Sequence, residues 1–218
     1  MQLVLRIGSR LAADRRALAL TEFALSAPVL LTLVLFGIET ANIAIATLRV
    51  HQIAATTADN VGRVRDSIGE GDVAEALLGG STIGGAMKFG DRGRIVVSDV
   101  FANGKTGSSA GQTIYWQRCT GKLNTPASQP AYGLEGKGAN DATLQSMGKT
   151  GRTIAPTPGS TMIFVEVTYK YLPIVSSNIF GTPTLRSEAA FTVRERNSET
   201  LLPGAAGSSP SVCTRYDL

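Results

Sequence analysis

The apolar residues of this chain are concentrated in one run near the N-terminus, from Phe23 to Leu48. The run contains 26 residues and a single charge, Glu39. As a helix it spans roughly 39 Å, which exceeds the roughly 30 Å hydrocarbon core of a bilayer. The pattern therefore predicts a membrane-spanning helix, and Pro28 in its second turn predicts a bend.

The helical period continues beyond the apolar run. Apolar or small residues recur at spacings of three and four, at Val50, Ile53, Ala54, Thr57, Val61, Val64 and Ile68. The membrane helix is thus predicted to continue as a stalk to about residue 68. These boundaries divide the chain into a basic leader (residues 1–17), a transmembrane helix and stalk (18–68) and an extracytoplasmic domain (69–218).

The extracytoplasmic domain shows the alternation of apolar and polar residues that is typical of β-strands. Strands are predicted over residues 94–102, 112–120, 161–171 and 185–195, the last with Ala189, Phe191 and Val193 inward. A short helix is predicted over 72–78, ended by Gly79 and Gly80. Residues 121–159 are rich in Gly, Pro, Ser, Asn and Thr, which predicts a long surface excursion. The expected fold class is α+β, with the long N-terminal helix packed on a small antiparallel sheet.

The charges that flank the apolar run predict its orientation. Arg6, Arg10, Arg15 and Arg16 precede it with one nearby acid, Asp14. The positive-inside rule then places the N-terminus in the cytoplasm and residues 50–218 across the membrane. A secretory signal peptide is the alternative, with a cut near residue 46 within the sequence at 44–48, although 26 residues is long for its apolar region, which normally has about 7 to 15.

The composition argues against the common kinds of metal site, catalytic site and nucleic-acid interface. One His and two Cys are too few for the usual zinc sites, and a net charge of +4 is too small to indicate nucleic acid. The sequence from Gly107 to Gly111 spells G-x-S-x-G, but no helix is predicted after it and the only His, His51, lies upstream. We therefore expect a protein that is not an enzyme, with no catalytic residue, cofactor, metal site or nucleic-acid partner.

The two cysteines suit the predicted compartment. Cys119 and Cys213 both fall outside the cytoplasm, where a disulfide persists. A bridge between them closes a loop of about 95 residues and restricts the unfolded chain by roughly 4 kcal/mol. Two independent thiols are the alternative.

Two carboxylates, a Pro and a Gly fall in order within 18 residues at the start of the apolar run: they belong to the pair Glu22-Phe23, to Pro28 and to the sequence Phe-Gly-Ile-Glu over residues 36–39. This arrangement resembles the N-terminus of TadE-like pseudopilins of the tight-adherence (Flp) pilus system. The sequences at 116–119 and 190–194 resemble the outer domain of the same family more weakly. The resemblance implies a pilin-like fold.

The resemblance also implies roles for individual residues. A prepilin peptidase is expected to cut between Ala17 and Leu18, so that Glu22 becomes the fifth residue, although the family usually has Gly where Ala17 stands. The new amine at Leu18 and the Glu22 carboxylate would pair between neighbouring subunits, and Phe23, Pro28 and Glu39 would belong to the same assembly surface.

Simpler interpretations exist for both carboxylates. Glu22 can face water at the start of the helix, where its charge complements the helix dipole. Glu39 can mark the point at which the helix leaves the lipid, which is the interpretation we favour for it.

The expected function is that of a membrane-anchored minor pilin or pseudopilin that takes part in assembling a tight-adherence pilus. It would lie in the bacterial inner membrane with its C-terminal domain in the periplasm or in a surface pilus. Its expected partners are the membrane, other pilins and pilus assembly components, and the prepilin peptidase. The alternative is a single-pass membrane protein whose outer domain binds a ligand or surface independently of a pilus.

Overall fold

The structure is a computed structural model that describes residues 15–157, 159–207 and 209–217. Residues 1–14 of the predicted leader lie outside the described residues, as do the side chains of residues 15–17. The elements in chain order are α1 (Arg15–Gly62), β1 (Asp66–Gly69), α2 (Glu70–Ile83), α3 (Phe89–Arg92), β2 (Gly93–Ala102), β3 (Gln112–Thr120), β4 (Met162–Lys170), α4 (Ser177–Phe180), β5 (Thr184–Thr192) and β6 (Arg196–Leu202). The α+β prediction, with a long apolar N-terminal helix and a small antiparallel sheet, is confirmed.

Helix α1 has 48 residues and continues through Pro28. It ends at Gly62, six residues before the predicted end of the stalk. Gly62 is required there because a Cβ atom would lie only 2.4 Å from the ring of Phe191. Ile68, which fitted the helical period, is fully buried but lies on strand β1. An apolar residue at this spacing can therefore reach the core from either backbone conformation.

The main sheet contains the four predicted strands in the order β3-β2-β4-β5, and all its neighbours are antiparallel. Strand β4 lies at the centre of the pairing, with Val167 opposite Ile95 of β2 and Val165 opposite Ala189 of β5. The observed strand ends agree with the predicted ones to within three residues. Burial of both faces explains why β4 has the strongest apolar pattern of the four.

The two faces of the sheet are covered by different parts of the chain. On one face, Ile163, Val165, Val167 and Tyr169 of β4 pack with residues of α1 and α2 in the larger core. On the other face, Met162 and Phe164 pack against Leu144 and Met147, which come from the long connection between β3 and β4. The predicted surface excursion therefore also forms a lid over one side of the sheet.

Two features differ from the sequence prediction. Helix α2 continues through Gly79 and Gly80 to Ile83, because Gly80 lies where α2 crosses α1. A Cβ atom at Gly80 would be 2.4 Å from the hydroxyl oxygen of Thr57, so the glycine permits close helix packing and does not end the helix. The second feature is the parallel pair of β1 and β6, which the polar sequence of β6 did not indicate.

Candidate functional site

Helix α1 divides at Glu39 into an exposed half and a half that is only partly buried, in which Ile45 and Leu48 are still 50% and 69% exposed. In the free half, residues 18–38, the large apolar side chains are exposed, from 42% to 78%. They are Leu18, Leu20, Phe23, Leu25, Val29, Leu30, Leu31, Leu33, Val34, Leu35, Phe36 and Ile38. In the packed half, residues 39–62, Val50, Ile53 and Val61 are at most 1% exposed. The free half is about 31 Å long, which matches the hydrocarbon core of a bilayer.

Of the helices in the described residues, α1 is the one long and apolar enough to cross a membrane. Leu18, Glu22, Phe23 and Pro28 all lie on its free half and are exposed. The side chain of Ala17 lies outside the described residues, although its backbone is helical. Of the residues of the predicted assembly surface, Glu22, Phe23 and Pro28 therefore lie together on one exposed segment, whereas Glu39 is buried at its end.

Glu39 lies at the boundary between the two halves and is only 2% exposed. Its Oε1 atom accepts a hydrogen bond from the hydroxyl of Tyr171. Its Oε2 atom accepts hydrogen bonds from the backbone N–H groups of Ile174, at 3.0 Å, and Val175, at 2.9 Å. Asn42, one turn further along α1, donates to the Tyr171 hydroxyl oxygen. The buried carboxylate is thus satisfied by three donors of its own chain.

The three donors show what Glu39 does in the fold, which the sequence did not reveal. Glu39 ties α1 to the connection between β4 and β5, residues 171–183, which we call the junction loop. Both carboxylate oxygens of Glu39 accept hydrogen bonds within the chain, whereas Glu22 is exposed. No sequence signal linked Glu39 with Tyr171, since the two residues are 132 positions apart.

The junction loop carries an unusual number of exposed apolar side chains. Leu172 is 49% exposed, Ile174 68% and Ile179 67%. The ring of Phe180, on the short helix α4 within this loop, lies 4.6 Å from the ring of Phe36 on the free half of α1. The loop therefore lies beside the end of the membrane-length segment. Its apolar composition between two strands was the signal that sequence analysis passed over.

The C-terminal segment is fixed to the sheet by the disulfide between Cys119 and Cys213, as the sequence predicted. Next to it, the buried Arg94 donates to three carbonyl oxygens, those of Gly121 (2.8 Å), Cys213 (2.6 Å) and Arg215 (2.8 Å). Its guanidinium also lies 3.9 Å from the centre of the Tyr216 ring. Sequence analysis placed Arg94 on a strand but gave it no role.

Two buried carboxyl groups of the sheet have raised pKa values. Burial raises the pKa of Asp99 to about 8, the charge of Glu199 adds to this, and Arg196 opposes it. Burial likewise raises the pKa of Glu166 to about 7, against a hydrogen bond from Ala131 and the charge of Arg186. In the folded protein both carboxyl groups stay protonated above pH 4, where the same groups of the unfolded chain are ionised. They therefore lower the free energy of unfolding progressively as the pH rises from about 4 to their folded pKa values.

The described residues were compared with two common kinds of catalytic arrangement, a metal centre and a His-based triad. No group of three or more His, Cys, Asp or Glu among them could hold a metal ion. His51 bonds through Nδ1 to the hydroxyl of Ser187, at 2.7 Å, and Ser187 is buried within β5. In the described part of the chain no carboxylate is hydrogen-bonded to His51, so the pair lacks the third member of a catalytic triad.

Comparison with protein-family models, curated proteins and solved structures finds no significant match.

Proposed function

We propose that this protein is a TadE-like minor pilin or pseudopilin that takes part in assembling a tight-adherence pilus. The observation that carries the proposal is the division of α1 into an exposed apolar half and a half embedded in the sheet domain. A helix that is apolar all round needs lipid or other helices to cover it. In an assembly of such subunits, the free halves pack against one another and the sheet domains lie outside.

The order of residues on the free half supports the proposal further. Glu22 and Phe23 lie near its start, Pro28 follows, and the Phe-Gly-Ile-Glu sequence ends where the sheet domain begins. Glu22 is exposed on a helix that is otherwise apolar for several turns. A carboxylate in such a setting is costly in lipid unless a cation pairs with it, and the amine at Leu18 created by cleavage would be such a cation.

The proposed location is the bacterial inner membrane, with the N-terminus in the cytoplasm and the sheet domain in the periplasm. The disulfide between Cys119 and Cys213 supports the location of the domain, because disulfides persist outside the cytoplasm. The arginines that precede the helix support the orientation.

Cleavage is tested by the intact mass of the protein purified from native membranes. We expect a chain that begins at Leu18, because this cut makes Glu22 the fifth residue. Deletion of the prepilin peptidase gene in the same strain should restore the full-length mass. A chain that retains the leader in the wild-type strain, or begins near residue 47, would contradict the processing step, and the latter would show a signal peptide.

Replacement of Glu22 tests the assembly role. In Glu22→Gln we expect membrane insertion to be unchanged and the yield of surface pili to fall about tenfold, the effect of losing roughly 1.4 kcal/mol of pairing between helices. Glu22→Asp, which keeps the charge, should retain part of the yield. Pili are counted by shearing and immunoblotting. Wild-type yield from Glu22→Gln would show that the carboxylate merely faces water.

In the alternative function, the sheet domain binds a ligand or surface by itself, independently of any pilus. The same strains distinguish the two. A membrane protein that acts alone keeps its activity when the pilus secretion machinery is deleted, whereas a pilin loses its surface exposure.

A further inference from the structure

We propose that the junction loop and the adjacent cavity, which is lined by Arg49, Lys88 and Arg92, form a lipid-binding surface that holds the sheet domain against the bilayer. The bilayer leaflet on the side of the sheet domain is the occupant. The inference rests on the proposed membrane insertion of α1 and adds a second, separate contact with the membrane. It predicts that the domain keeps a fixed orientation relative to the bilayer.

The position of the loop is the first argument. Glu39 accepts two hydrogen bonds from the loop backbone, and Phe180 contacts Phe36 in the free half. The free half matches the thickness of the hydrocarbon core, so its last turn lies at the boundary between the acyl chains and the headgroups. A loop held beside that turn is held at the same boundary.

The exposed side chains of the loop are the second argument. Leu172, Ile174 and Ile179 are exposed apolar side chains. They adjoin the exposed apolar surface of α1, because Leu172 and Ile174 line one cavity with Ile45 and the neighbouring Phe180 contacts Phe36. A contiguous apolar surface of this kind favours burial away from water. In the membrane interface the three side chains enter the acyl region, while the loop backbone stays bonded to Glu39.

The charges next to the loop are the third argument. A cavity of about 380 Å³ is lined by Leu172 and Ile174 of the loop together with Arg49, Lys88 and Arg92. None of these three cations forms an ion pair with a carboxylate in the part of the chain that the structure describes. Apolar side chains and cations around one cavity match the acyl chains and phosphate of a phospholipid, and the long basic side chains can follow the headgroups.

A lipid is favoured over a protein partner because the apolar surface is continuous with the membrane helix. A neighbouring subunit would have to reach the same level of the bilayer and supply acids to three cations. Contact between subunits at this surface is therefore an outcome that the test must separate from lipid contact.

Three serines provide matched positions for a fluorescent probe. Both native cysteines are in the disulfide, so Ser26→Cys on the free half, Ser177→Cys on α4 and Ser198→Cys on β6 each introduce one free thiol. Each full-length variant is labelled with an environment-sensitive dye and reconstituted, at a low protein-to-lipid ratio, in phosphatidylcholine vesicles with and without phosphatidylglycerol. Quenching by nitroxide-labelled lipids then reports contact with the bilayer.

The expected result is strong quenching at Ser26→Cys and Ser177→Cys and little at Ser198→Cys, which lies at the far end of the domain. Quenching at Ser26→Cys without quenching at Ser177→Cys would overturn the lipid-binding surface and leave membrane insertion standing. Absence of quenching at Ser26→Cys would overturn both. A blue-shifted probe at Ser177→Cys that lipids do not quench would show protein contact instead of lipid and would also overturn the proposal.

Substitutions test the two parts of the surface separately. In the Ser177→Cys background, Ile174→Ser combined with Ile179→Ser should remove most of the quenching, whereas Leu78→Ser, at an equally exposed position on α2, should leave it unchanged. Arg49→Gln should abolish any increase in quenching caused by phosphatidylglycerol, whereas Arg63→Gln, near the other end of the same helix, should preserve that increase. Equal effects of target and control substitutions would contradict the proposal.

Discussion

Replacement of Glu39 by alanine is expected to release the junction loop from α1 and to destabilise the bonded state of the loop by about 3 kcal/mol. The alanine leaves the Tyr171 hydroxyl and the N–H groups of Ile174 and Val175 without their acceptor in a buried place. Each lost bond to a charged group contributes about 1.5 to 3 kcal/mol, and water entering the site recovers part of the total. Hydrogen exchange at the amides of Ile174 and Val175 should accelerate about a hundredfold.

Two further variants make this test specific. Glu39→Gln can still accept from the two N–H groups, but its amide donates toward Tyr171, which already accepts from Asn42. Exchange in Glu39→Gln should therefore be intermediate. Glu22→Ala removes an exposed carboxylate from the same helix and should leave exchange in the loop unchanged. If Glu39→Ala behaved like Glu22→Ala, the carboxylate would not be what holds the loop.

Removal of the disulfide is expected to have the largest effect on the sheet domain. The double variant Cys119→Ala, Cys213→Ala frees a loop with a sequence separation of 94, which corresponds to about 4.5 kcal/mol of chain entropy in the unfolded state. Thermal unfolding followed by circular dichroism in detergent should show a midpoint lower by about 10 °C. Arg94 keeps its bonds to the C-terminal segment in the folded state, so the fold itself should be preserved.

The control for this prediction uses the redox state of the wild-type protein. A reducing agent should lower the wild-type midpoint to that of the double variant and should not affect the double variant. A midpoint that is the same with and without the bridge would mean that the unfolded chain is already restricted by other contacts.

The difference between the sequence prediction and the structure is clearest where one sequence pattern is compatible with two backbone structures. Gly79 and Gly80 end a helix by the usual rules, yet α2 continues because Gly80 allows Thr57 of α1 to approach. Ile68 fits the helical period of the stalk and is buried on a strand instead. In both cases the deciding contact comes from an element that is distant in sequence, so no local rule could identify it.

The sequence by itself determined the apolar segment, the four strands of the main sheet and the pairing of the cysteines. These features depend on local periodicity, on composition and on there being just two cysteines. Only the tertiary structure decided where α1 changes from free to packed, which donors satisfy Glu39 and how Arg94 holds the C-terminal segment. Each of these depends on bringing together groups that are about 120 to 135 positions apart in the sequence. A buried polar group needs a hydrogen-bond partner, but the sequence around it does not indicate which distant residue that partner is.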